Sequence, residues 1–71
     1  MPSLRKEFGS RIKEIRIDRK LTQERFAECV GISVDFLSLI ERGINSPSFE
    51  TIEQMARSLR LPVKALFDFP E

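Results

Sequence analysis

The 71-residue sequence predicts an all-α fold of five short helices in a single domain spanning residues 1–71. Three observations predict it. Apolar residues recur at three- and four-residue spacing, a Ser or Thr stands ahead of each long run, and no stretch alternates apolar with polar residues as a half-buried strand does.

The first helix is expected over residues 4–19, with Ser3 as its candidate cap, because Phe8, Ile12 and Ile15 fall at i, i+4 and i+7. Leu21 interrupts the polar run that follows and is expected to turn inward. Thr22 can cap a short second helix beginning Gln23-Glu24-Arg25, with Phe26, Ala27 and Val30 on its inner face. Gly31 is free to take positive φ at the stop, and Ile32 can cover the turn. Ser33 repeats the cap signal for a third helix, buried through Leu37 and Ile40 and ending at Gly43. Residues 44–47, Ile-Asn-Ser-Pro, form a loop. Ser48 then caps a fourth helix with Ile52, Met55, Ala56 and Leu59 inside. A fifth is expected from Pro62 or Val63 to Phe67, since Pro is tolerated in a first turn and Pro70 closes the segment.

Composition narrows the function. One cysteine, Cys29, and no histidine leave no disulfide pair and no usual zinc set, so no metal is expected and the location is expected to be cytoplasmic. No apolar run approaches the length of a membrane span. Without His, a Gly-rich phosphate loop or paired cysteines, the usual nucleophile–base constellations cannot be assembled, and neither catalysis nor a cofactor is expected. Net charge is only +1, but it is unevenly spread: residues 1–20 carry seven basic and three acidic groups, residues 21–71 five basic and eight acidic. A basic end is consistent with phosphate contact and equally with a solvated helix surface.

The informative stretch is TQERFAECVGISVDFLSLIER, residues 22–42. Two short helices cross steeply only where the crossing residue is small and the turn accepts a left-handed residue; Ala27 and Gly31 meet those demands. With Phe26, Val30, Ile32, Leu37 and Ile40 inside, Val34, Asp35, Ser38 and Leu39 point mostly outward and Phe36 lies at the boundary. This spacing resembles the helix-turn-helix of the lambda-repressor and Cro superfamily, often called the Xre family. FGSRIKEIR before it, LSLIERG at its end, and NSPSFETIEQMARSL and ALF after it extend the resemblance over residues 4–67.

The resemblance implies a compact five-helix lambda-repressor-like DNA-binding domain, with the helix-turn-helix in helices 2 and 3. It implies base reading in double-stranded DNA by Val34, Asp35 and Ser38, with Leu39 and Phe36 as further candidates. It implies that Gln23 contacts the DNA backbone and braces the recognition helix, and that Ser33 lies near phosphate while capping. Asn45, Ser46 and Ser48 occupy the loop that approaches phosphate in the family, and Arg11, Lys13 and Arg42 are candidate added charge. Arg16 and Glu41 match a partly buried ion pair between the first and third helices, a structural element whose value lies in orientation more than net stability.

Three positions depart from the family pattern. Lys20 and Arg60 stand where relatives commonly carry Gly after a helix, so either they adopt a left-handed conformation or those helices end differently. Arg25 replaces the Glu that would complete a capping box with Thr22. The outward residues of the third helix also lack the Arg, Gln and Asn that make bidentate base contacts, so Val34 is left to touch a thymine methyl and Asp35 to accept from a cytosine amino group.

The expected activity is that of a homodimeric transcriptional regulator on a palindromic operator. Its self-association surface is expected at Leu61, Val63, Phe67 and Phe69, with Phe67 partly in the core. Controller proteins of restriction-modification systems and small phage or mobile-element repressors fit equally, and an antitoxin on the same fold is an alternative. The rival reading is a protein-interaction module that keeps the scaffold without binding DNA, favoured by the near-neutral charge and by Asp35.

Overall fold

The computed structural model describes residues 3–70, which contain α-helices and a 3-10 helix but no strand. Helix α1 (Leu4–Asp18) is followed by α2 (Gln23–Val30), α3 (Val34–Glu41) and α4 (Phe49–Leu59), and the segment Val63–Phe67 winds as the 3-10 helix. All four α-helices start alike. Ser3, Thr22, Ser33 and Ser48 are extended residues whose hydroxyls accept from the N–H groups of Lys6, Arg25, Phe36 and Thr51. Each bond satisfies a donor that the first turn otherwise leaves unpaired, a contribution of about 1 kcal/mol per cap.

The four stops are alike too. Lys20, Gly31, Gly43 and Arg60 have φ of 58°, 87°, 76° and 56°. The N–H of the next residue then folds back onto the helix: Leu21 to Arg16 O, Ile32 to Ala27 O, Ile44 to Leu39 O and Leu61 to Ala56 O, at 2.9–3.0 Å. This left-handed stop pairs carbonyls that have no partner further along the helix. Lys20 and Arg60 therefore take the strained alternative, at roughly 1 kcal/mol each for a side chain with a Cβ in that region. Leu21, Ile32 and Leu61, immediately after three of the stops, pack against the core.

The core is assembled from one stripe of each helix. Phe8, Ile12 and Ile15 of α1 meet Leu37 and Ile40 of α3; Phe26, Ala27 and Val30 of α2 lie toward α3 and toward Ile52, Met55, Ala56 and Leu59 of α4. The expected fifth helix is corrected in two respects. It is wound as 3-10, because a five-residue run beginning after Pro62 closes with an i→i+3 bond, Ala65 N–H to Pro62 O at 2.9 Å. Leu66, not Phe67, is the residue it buries completely; the tighter winding leaves Phe67 on the rim, its ring 5.0 Å from that of Phe8.

The sequence pattern did not single out Gly9, which sets how closely α1 and α3 approach. A Cβ there would lie 2.2 Å from Ile40 O and 2.9 Å from Glu41 O, so backbone passes directly against backbone. Gly43 is tight for a second reason as well as its φ, since a Cβ would meet Lys6 Cγ at 2.6 Å and Lys6 Cα at 2.9 Å. The first two turns of α1 thus grip the end of α3.

Substitution Gly9→Ala should destabilise the protein by about 1–3 kcal/mol, despite alanine's better helix propensity, because the neighbouring atoms are backbone and cannot yield. Thermal unfolding followed by circular dichroism reads the difference, and a midpoint equal to wild type would contradict the close approach. Arg60→Gly should act in the other direction. Relief of the left-handed strain outweighs the added unfolded-state freedom of glycine, giving a gain of about 0.5–1 kcal/mol in urea titrations.

Candidate nucleic-acid interface

Two eight-residue helices, α2 and α3, are joined by residues 31–33. Gly31 reverses the chain at the end of α2, and Ser33 restarts it by capping α3 through a 3.0 Å bond from Phe36 N–H. Between them Ala27 is buried, and its carbonyl accepts from the N–H groups of Gly31 and Ile32 in the turn. The buried side of α3 carries Leu37, Ile40 and Glu41. Helical spacing puts Val34, Asp35, Ser38, Leu39 and Arg42 on the opposite side. Val34, Asp35 and Arg42 are exposed, while Ser38 and Leu39 are half-buried. Phe36 departs from this row: it packs against the core, at the edge of the buried side.

A buried polar network fixes the orientation of this surface. Arg16 of α1 donates from Nε and Nη2 to the two carboxylate oxygens of Glu41, at 2.7 and 3.1 Å. Its Nη1 donates to Leu21 O at 2.8 Å, in the link between α1 and α2. Gln23, the first residue of α2, donates from Nε2 to Glu41 Oε1 at 3.0 Å. Glu41 therefore accepts from both α1 and α2, and among the described residues no buried side-chain nitrogen or oxygen lacks a partner. A fully satisfied network of this kind stabilises little beyond an apolar equivalent, but it admits one docking geometry for the helix that carries it.

The loop at residues 43–48 continues from this surface. Ile44 N–H and Asn45 N–H both bond to Leu39 O, at 2.9 and 3.3 Å, so the loop begins folded back onto the last turn of α3. Ser46 and Ser48 are exposed and Asn45 is half-buried. Ser48 caps α4 and donates to Thr51 Oγ1 at 3.0 Å. Arg5, not among the expected residues, reaches the loop from α1, with Nε 3.1 Å from Ser46 Oγ. Its signal in the sequence was only that of one basic residue among several.

The remaining expected residues divide. Lys13 is exposed between Gly9 and Arg16, on the line along which α1 meets α3. Arg11 is turned elsewhere: its Nε donates to Ala65 O at 3.0 Å and its Nη1 pairs with Glu14 at 2.8 Å, anchoring the C-terminal segment. Of the four apolar C-terminal residues, Val63 is exposed, whereas Leu61, Phe67 and Phe69 are half-buried against the core. Phe69 packs on Phe67 with ring centroids 6.1 Å apart. The largest exposed apolar side chain is instead Phe49, at 83%. Among the described residues no group of three potential ligands clusters for a metal ion, and no helix is long and apolar enough to cross a membrane.

A family model described as helix-turn-helix matches residues 12–66, a span that contains both short helices and the turn between them. The chain belongs to the helix-turn-helix family. Among its curated relatives in that family, the immunity repressor protein of Bacillus phage phi105 is 45% identical over 58 residues, 82% of this chain and 40% of the relative. The cryptic phage CTXphi transcriptional repressor RstR of Vibrio cholerae is 34% identical over 59 residues, 83% of this chain and 53% of the relative. The chain thus spans about half or less of the length of these two repressors. It is closer in size to the control protein C.BamHI of Bacillus amyloliquefaciens, 31% identical over 68 residues that make up 94% of this chain and 84% of the relative. Among solved structures, the restriction-modification controller protein C.AhdI from Aeromonas hydrophila superposes with a TM-score of 0.83 at 30% identity, covering 86% of this chain and 92% of the controller.

The network makes a graded expectation for this helix-turn-helix. Glu41→Ala strands the Arg16 guanidinium in a buried position and should cost about 3–5 kcal/mol. Gln23→Ala removes one half-buried hydrogen bond and should cost only about 1 kcal/mol. Equal losses for the two variants in chemical denaturation would show that burial of the Arg16–Glu41 pair is not what distinguishes them.

Proposed function

We propose that this chain is a sequence-specific, double-stranded DNA-binding transcriptional regulator that acts as a homodimer on a palindromic operator, with α2 and α3 as its helix-turn-helix and residues 1–71 as one functional domain. The observation that carries this reading is the pairing of an open α3 face with the buried Arg16–Glu41–Gln23 network that fixes its orientation, in a chain of the helix-turn-helix family. The transcriptional repressors and control protein among its relatives support the same reading.

In this reading α3 lies in the major groove, which at about 12 Å wide admits one helix. Val34 meets a thymine methyl, Asp35 accepts from a cytosine amino group, and Ser38 bonds a base edge, with Leu39 beside them. Phe36, packed against the core, supports this row from behind. Gln23, Ser33, Lys13, Arg42 and the loop residues Asn45, Ser46 and Ser48 position the protein on phosphates, contacts that set register without reading sequence. Arg11 is assigned to the fold instead. DNA shape supplies part of the discrimination, because so few side chains on α3 make bidentate contacts.

A single domain of this size makes few base contacts, and two-fold pairing doubles them on half-sites about 10 base pairs apart. Leu61, Val63, Phe67 and Phe69 supply the self-association surface in this reading. A second reading, a protein-interaction module or antitoxin on the same scaffold, is favoured by the net charge of +1 and by the acidic Asp35 on the open face.

Selection of binding sites from random duplexes tests both readings. The expected result is a palindromic motif, bound with an affinity that falls steeply as salt rises. Asp35→Ala should change the preferred base at one position in each half-site and leave the rest of the motif intact. No enriched motif, together with no detectable duplex binding at low salt, would favour the interaction module.

A further inference from the structure

The geometry points to Arg5 as a phosphate-binding residue that acts together with the loop between α3 and α4; this rests on the DNA-binding reading above. Three observations lead to it. The Arg5 side chain is exposed but held, with Nε 3.1 Å from Ser46 Oγ and Nη1 3.4 Å from Ile44 O. A guanidinium carries five N–H donors in one plane, so two anchoring contacts leave three for a further acceptor. Among the described residues Arg5 forms no ion pair, and neither do Arg19, Arg42, Arg57 and Arg60, whereas Arg11, Arg16 and Arg25 do. Of the unpaired arginines Arg5 is the one bonded to the loop. Its charge is uncompensated.

The position matters as much as the charge. The loop that Arg5 grips follows α3 directly and is folded back onto its last turn, where the Leu39 carbonyl holds Ile44 and Asn45. Close packing of Gly9 on Ile40 and Glu41, and of Gly43 on Lys6, keeps this end of α1 at a fixed distance from α3. A helix inserted in the major groove brings the segments beside it onto the sugar–phosphate backbone. Arg5 stands on such a segment, already ordered by Ser46 and Ile44. Little side-chain freedom remains to be lost on contact, and a planar fork meets a phosphate through two parallel hydrogen bonds. Arg5 neutralises one phosphate per subunit, and Ser46 holds its guanidinium at the angle that lets it do so.

The experiment is a salt titration of duplex affinity for the full chain and for Arg5→Ala, Arg5→Lys and Ser46→Ala. Wild-type binding comes first: if the wild type does not bind duplex DNA, it is the DNA-binding reading that fails. Given wild-type binding, Arg5→Ala should weaken affinity about tenfold at low salt, equally for preferred and random duplexes. It should also lower the slope of log affinity against log salt by about 0.9 per subunit, with the selected motif unchanged. Arg5→Lys should retain the slope, since the charge remains, but recover only part of the affinity, since one ammonium cannot both anchor to Ser46 and bind bidentately. Ser46→Ala should weaken affinity without altering the slope. Reduced affinity of Arg5→Ala with an unchanged slope would assign Arg5 to loop support alone, and unchanged affinity would remove it from the interface; either result overturns the proposal. Unfolding midpoints of all variants, followed by circular dichroism, separate loss of contact from loss of fold, and Arg5→Gln, which removes the charge but keeps a long polar side chain, carries the slope test if Arg5→Ala does not fold.

Discussion

The guanidinium of Arg16 is the point at which three helices are held to one another. Its side chain grips Glu41 on α3 and the Leu21 carbonyl in the α1–α2 link, while its own carbonyl receives Leu21 N–H at the stop of α1. Gln23, the first residue of α2, joins the same centre by donating to Glu41 Oε1, which also accepts from Arg16 Nη2. Hydrophobic burial supplies most of the driving force for folding, yet apolar contacts tolerate sliding and small rotations. A bidentate ion pair does not. The apolar core brings α3 against α1, and the Arg16–Glu41 pair determines which way α3 faces.

That division explains why a chain with so small a core can hold an eight-residue helix in a defined orientation. Isolated helices of that length are unstable in water. Here α3 is fixed at its start by Ser33, at its end by the left-handed Gly43, beneath by Leu37 and Ile40, and along its flank by Glu41. Gly9 removes the last steric obstacle by letting the α1 backbone reach the carbonyls of Ile40 and Glu41. These restraints all act on the inner half of α3, so Val34 and Asp35 can vary without disturbing them. Such a separation lets the open face change while the scaffold beneath it stays the same.

What was legible in the sequence follows the range of the interactions. Caps, stops and apolar stripes are local, and Ser3, Thr22, Ser33 and Ser48 declare themselves within three residues of the bonds they make. The Arg16–Glu41 pair spans 25 residues and was expected only through the family resemblance, because nothing local links those positions. Gly9 could have been noticed as a glycine inside a helical pattern, where it weakens the helix unless close packing requires it. Arg5, Arg11 and Lys13 looked alike as basic residues on one helix. Contacts made 41 and 54 residues away, with Ser46 and Ala65, distinguish the first two. The winding of residues 63–67 was not legible either, because the choice between i→i+3 and i→i+4 bonding in so short a run depends on what it packs against.

Lys20 and Arg60 carry a further consequence. Glycine in their place would end α1 and α4 more comfortably, but the chain has a net charge of only +1, and losing two cations would turn it negative. The sign of the net charge, and with it the field at long range, thus includes a contribution from two residues kept in an unfavourable backbone conformation. A polyanionic target is approached through that field before any contact forms, and the rate of encounter depends on its sign. In the DNA-binding reading proposed above, ease of folding and speed of capture draw the sequence in opposite directions at these two stops.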